Sequence, residues 1–310
     1  MLALVAPTSA EVIGTCQFDR ATLTFAGSSA EQATCLLRKI GPLGAKSAQP
    51  LPAILTRLLG TGETPSPAHK AAAIAAFPEP YRDYAAGYQD KPTAQTEAGV
   101  PLLYFVIHDT STPFLGTAPF PRRLNNDPTI NSFTPYLADE PVAHIFLNRQ
   151  GQIWAAHDFS VPWRATKLES RVIGAPARGR FAHIETVQPR RFMPGATSLG
   201  QTEGPKPGFS AAQYRMLAAL YVYASARAGR WLIPAFHSNV DDGIPDAHDD
   251  PQNFELEQFA HELGNLVSAD KTGAKRRRPV RPTTEQGADG GDLVVITDRN
   301  HRPSRARTRR

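Results

Sequence analysis

Two histidines in this chain sit at the ends of apolar runs. Leu102-Leu103-Tyr104-Phe105-Val106-Ile107 leads into His108, and Trp231-Leu232-Ile233-Pro234-Ala235-Phe236 leads into His237. Asp250 follows after a loop. Imidazole nitrogen and carboxylate oxygen are both donors that zinc accepts, and a zinc ion with three protein ligands keeps a fourth position for water, the arrangement of a catalytic site. The loop between His237 and Asp250 can fold both donors onto one ion. A further acid, Glu185, lies inside the alternating stretch Phe181-Ala182-His183-Ile184-Glu185-Thr186-Val187. It either points outward from an edge strand or, flanked by Phe, Ile and Val, faces a cleft where it can move a proton.

The elements that carry these residues are legible. A short run rich in β-branched and aromatic residues reads as a strand buried on both faces. Polar residues resume at His108, which places it at the carboxyl edge of its strand, where ligands collect in α/β proteins. The ordinary alternative is a strand-end histidine satisfied by a neighbour. Val142–Trp154 reads as a hairpin that begins near His144 and turns through Gly151. Trp163-Arg164-Ala165-Thr166 lies in a loop. Ser210-Ala211-Ala212-Gln213 is a capping box opening a helix that stops at Gly229. A last helix spans 254–263. The stretch 111–141 is dense in Pro, Asn and Thr without helical period, a connection of functional length.

The first 95 residues hold no motif with chemistry. Helices are expected at 51–59 and 68–77, the second ending near Pro78 and Pro80, with residues 11–95 forming an N-terminal extension. Cys16 and Cys35 are the chain's two cysteines. If paired, they close a loop for an effect of about 3 kcal/mol in the chain-entropy model; otherwise they are two reduced thiols, and the balance favours an oxidising compartment. Residues 1–10 read as the back half of a secretory signal or as a frayed apolar terminus. No apolar run approaches the roughly 20 residues of a membrane helix.

The formal charge of +5 conceals an asymmetry. From Lys271 onward 12 basic and 4 acidic residues give +8, leaving −3 for the rest. Residues 269–310, with basic clusters at Lys275–Arg278 and Arg305–Arg310, have the composition of a disordered tail. It either solubilises the chain or adheres to an anionic envelope polymer. No nucleic-acid-binding module accompanies it.

Six stretches occur in a telling order: Val106–Ser111, Ala143–Ile153, Ile184-Glu185, Ala212–Tyr214, Phe236–Val240 and Asp250-Pro251. Together they resemble the type 2 family of zinc-dependent N-acetylmuramoyl-L-alanine amidases, which share a fold with phage T7-type lysozyme and the peptidoglycan recognition proteins. The resemblance spans roughly 101–266. It implies an α/β fold with a central mixed β-sheet flanked by helices, and an amidase domain at 96–268. It implies zinc held by His108, His237 and Asp250, with Glu185 acting on the zinc-bound water. His144 then lies near the substrate groove. Many members have lysine two residues before the ligand aspartate; His248 stands there and can donate to the oxyanion or the leaving amine. The family's Trp-His-Ala-Gly becomes Trp163-Arg164-Ala165-Thr166, with Trp163 and Arg164 as substrate contacts and Arg164 suited to a stem-peptide carboxylate. The implied reaction is hydrolysis of the amide between muramic acid and L-alanine in peptidoglycan or muropeptides, in the periplasm or outside the cell. A peptidoglycan-binding protein of the same fold without catalysis is the alternative. The absence of His-Glu-x-x-His argues against a peptidase of that kind.

Overall fold

A computed structural model describes residues 12–137, 142–198 and 200–268. The expected signal remnant and basic tail lie outside the described residues. Five strands form the central sheet: β1 (Tyr104–Asp109), β2 (Ile145–Leu147), β3 (Ile153–Ala155), β4 (Phe181–Thr186) and β5 (Ile233–Phe236). Their order is β5-β1-β4-β2-β3. The first three pairings are parallel and the β2–β3 hairpin is antiparallel, so the sheet is mixed. Every residue of β1 is buried, as an unbroken apolar run requires. In the hairpin turn Gly151 takes φ +82°, and a Cβ there would come within 3.3 Å of Ala212 and Met216. Turn geometry and helix packing both demand glycine.

Pairing register sets the site. Ile107 is opposite Phe236, which places His237 beside His108. His108 pairs with Glu185, Glu185 with Phe146, and Phe146 with Trp154. One row across the sheet thus runs from two imidazoles through a carboxylate into two stacked aromatic rings 4.9 Å apart.

Helices cover the sheet. α1 (Ser29–Leu36), α2 (Ala53–Gly60), α3 (Pro67–Ala76) and α4 (Glu79–Tyr88) come from the N-terminal segment. α5 (Ala211–Ala228), α6 (His237–Val240) and α7 (Leu256–Ser268) follow the strands. The capping box at Ser210 and Gln213 forms as expected, and Gly229 ends α5 in the left-handed region. Phe105 meets Tyr221 of α5 on one sheet face. On the other face the Tyr104 hydroxyl donates to Gln32 of α1 and accepts from the Phe25 N–H. Residues of the N-terminal segment, the sheet and the helices share one continuous core.

Two helices escape the sequence reading. Ser28 and Glu31 form a capping box for α1. Pro80 does not end a helix; it sits in the first turn of α4, where its missing N–H costs nothing. The stretch 111–137 has two 3₁₀ turns, at Leu124–Asn126 and Thr134–Tyr136, and no α-helix.

Cys16 and Cys35 form a disulfide. The segment it staples reaches the chain beside His237. Lys46 donates to the Ser238 carbonyl (2.8 Å) and pairs with Asp242 (2.6 Å); Arg38 also pairs with Asp242 (2.8 Å). Asn239 donates to the carbonyls of Leu36 and Arg38. No helix among the described residues is long and apolar enough to cross a membrane.

Candidate metal centre

The ends of β1 and β5 and the loop after α6 deliver His108, His237 and Asp250 to one point. Their candidate ligand atoms all lie within 4.8 Å of one another. The two Nδ1 atoms are 2.9 Å apart. His237 Nδ1 lies 3.0 and 3.2 Å from the Asp250 oxygens, and His108 Nδ1 lies 4.0 Å from Oδ2. All three residues are buried. Tetrahedral zinc with bonds near 2.0–2.2 Å needs donor atoms roughly 3.3 Å apart, so the spacing fits with small adjustments.

The electrostatics fit a cation as well. Burial pushes His237 toward the neutral form, yet Asp250 and Asp241 outweigh it and hold the group well above its ordinary range. Burial, then the neighbouring His237 and His183, push His108 well below. Positive charge is therefore favoured between the carboxylates, at the point where the two Nδ1 atoms meet. Two buried oxygens, Asp250 Oδ1 and Glu185 Oε2, make no hydrogen bond among the described residues. A buried polar atom left so is costly unless something else satisfies it. The donor set therefore suits zinc.

Glu185 Oε1 is 3.8 Å from His108 Nδ1. Burial, then the Asp250 charge, push its carboxyl up to about 8. His248 lies over the cluster: its ring centroid is 4.7 Å from that of His237 and its Nδ1 3.8 Å from Asp250 Oδ1. Its side chain is 55% exposed, the outermost of the group. Burial, then His237, lower its affinity for a proton. The structure thus brings together five of the eight residues singled out in the sequence.

The other three are placed differently. His144 is buried, its Nδ1 accepts from the His183 N–H and its Nε2 faces the Val161 carbonyl, each at 3.1 Å. Both nitrogens are engaged inside the protein, so the ring meets no groove ligand without turning. Trp163 is half-buried, its ring 4.1 Å from that of His157, and Arg164 is exposed. Both stand on the loop that leads into a π-helical turn at Leu168–Ile173.

Sequence reasoning missed the groups behind the ligands. His237 Nε2 is 2.9 Å from Asp241 Oδ2, and His108 Nε2 is 3.1 Å from His183 Nδ1. The spacing of His237 and Asp241 by one helical turn was the available signal. On the far side of Glu185, Tyr136 stacks on Phe146 and donates its hydroxyl hydrogen to Thr110. A buried pair of Arg190 and Asp109 (2.7 Å) braces the end of β1.

The fold and site define a mixed α/β protein with a His/His/Asp cluster geometrically suited to zinc. No family model and no curated protein matches the chain. One solved structure, the crystal structure of a selenomethionine AmpD derivative, aligns at 17% identity over 56% of this chain and 91% of that one, with a TM-score of 0.31.

Proposed function

We propose that the chain is a zinc-dependent hydrolase cleaving the amide between N-acetylmuramic acid and L-alanine in peptidoglycan or muropeptides. The observation that carries this reading is the convergence of His108, His237 and Asp250 beside Glu185. The ordered stretches that resemble the type 2 amidases supply the substrate class.

His108, His237 and Asp250 hold the ion. When bound, zinc polarises a carbonyl and lowers the pKa of water toward about 7. Glu185 accepts the proton of the attacking water and passes it to the departing amine, which is otherwise a poor leaving group. A buried acid with raised proton affinity suits both halves of that task once a nearby cation favours its ionised form. His248, at the mouth of the cluster, donates to the oxygen that gains charge. Arg164, exposed on its loop, is free to meet a stem-peptide carboxylate.

The Cys16–Cys35 disulfide supports an oxidising compartment, the periplasm or the cell exterior. The basic composition of 269–310 supports adhesion to anionic envelope polymer. Mass spectrometry of digested peptidoglycan, with and without a chelator, tests the reading. Release of stem peptides free of muramic acid, abolished by the chelator, is expected; no chelator-sensitive release overturns it.

A further inference from the structure

A neutral imidazole offers one N–H and one lone pair, so a histidine can ligate through Nδ1 only when its proton sits on Nε2. Something must hold it there. For His237 the group is Asp241, 2.9 Å from Nε2. For His108 the partner is another imidazole, His183, which is itself ambiguous. The ambiguity ends one residue further out. His183 Nε2 lies 3.1 Å from Glu169 Oε2, at ion-pair distance though not aligned as a hydrogen bond.

Glu169 is wholly buried and committed as an acceptor. Its Oε2 receives the N–H of Ala165 (3.2 Å), the N–H of Thr166 (3.1 Å) and the hydroxyl of Thr166 (3.0 Å). A group so engaged calls for N–H at His183 Nε2. His183 Nδ1 is then the acceptor, His108 Nε2 the donor, and the lone pair of His108 Nδ1 faces Asp250 and His237. Asp241 is fixed by the same loop: it receives the N–H of Lys167 (3.0 Å) and of Leu168 (2.9 Å). Four consecutive backbone N–H groups, from 165 to 168, thus hold the two carboxylates that stand behind the two ligand imidazoles.

We infer that the loop 165–169 sets the proton positions of both ligand histidines, with Glu169 and Asp241 as positioning residues for the metal. This rests on the zinc reading above for its purpose but not for its geometry. The loop also carries Trp163 and Arg164 at its start, so seating the metal and ordering that part of the surface are linked. A partner behind a ligand histidine is commonly worth 10–100-fold in metal affinity.

The test uses the full chain. Long-range ¹H–¹⁵N spectra of the metal-free protein at neutral pH report which ring nitrogen carries each proton. His108 and His183 are both expected with the proton on Nε2; a proton on Nδ1 of either in the wild type overturns the inference without any variant. Zinc titration against a competing chelator gives the second readout. Glu169→Ala is expected to lower zinc affinity about 10–100-fold and to mix the His108 and His183 proton positions. Glu169→Gln keeps an acceptor oxygen and is expected to preserve those positions and lose less. Wild-type affinity and spectra in Glu169→Ala overturn the inference. If Glu169→Ala does not fold, the Gln variant and the wild-type spectra decide. If the wild type takes up no zinc, the hydrolase reading falls, and the spectra still judge the proton positions.

Discussion

Near the C-terminus of α5, Arg227 meets Asp158 through two parallel hydrogen bonds of 2.7 and 2.8 Å, and its Nε donates to the Lys91 carbonyl. At the carboxyl edge of the sheet, His108, His237 and Asp250 are buried as deeply. The first cluster is closed: opposite charges face each other in a fork and nothing else is needed. The second is open: two imidazoles meet at 2.9 Å, and Asp250 Oδ1 and Glu185 Oε2 are left over. Burial of charge is common to both and marks neither as functional. What separates them is whether the protein finishes its own hydrogen bonding.

The sharpest way to break this contrast is to remove a donor from the open cluster. Asp250→Ala should abolish zinc uptake and wall hydrolysis while the circular dichroism spectrum of the fold persists; retained turnover would refute the assignment. Glu185→Gln should keep zinc bound and slow turnover about 10²–10⁴-fold, the usual worth of a general acid–base group. A variant that neither binds zinc nor turns over would put Glu185 among the ligands instead. Asp158→Ala in the closed cluster should do the reverse. It leaves a buried guanidinium without its carboxylate and should cost about 3–5 kcal/mol in denaturant unfolding, with zinc affinity unchanged in the folded protein.

The smallest effect is a dependence on pH. In chelator-treated protein Glu185 binds its proton up to about 8, against an ordinary value of 4.5. Between those values the folded state holds a proton that the unfolded state has released. The contribution is therefore complete below about 4.5 and is lost as pH rises toward 8. Glu185→Gln has no such proton to lose. Its melting temperature relative to wild type should climb across that window, by an amount on the order of a few kcal/mol; a constant difference would contradict the environment described for Glu185.

The open cluster was the more legible of the two. His108 and His237 announce themselves because each ends an apolar run, and parallel pairing of those runs puts their ends side by side. Asp250 needed only a loop. Glu185 was harder, since its strand is buried on both faces and alternation alone could not choose between cleft and solvent. The relay behind the ligands was hidden. His108 and His183 are 75 residues apart in sequence and His183 contributes by touching another histidine, a relation that no local pattern encodes. His144 shows the opposite failure: its type and place suggested chemistry, while the N–H and carbonyl that occupy its ring come from distant backbone. Pro80 was misread because proline breaks a helix interior but opens a first turn equally well.

The bonds from Arg38, Lys46, Leu36 and Asn239 bear on how the molecule can be trimmed. A recombinant version beginning at residue 96 keeps every strand of the sheet and all the donor atoms. It would still strip Asp242 of both cationic partners and uncap the amide of Asn239, each within five residues of His237. The smallest autonomous hydrolase in this chain therefore begins before its second cysteine, far upstream of the first residue with any chemistry of its own.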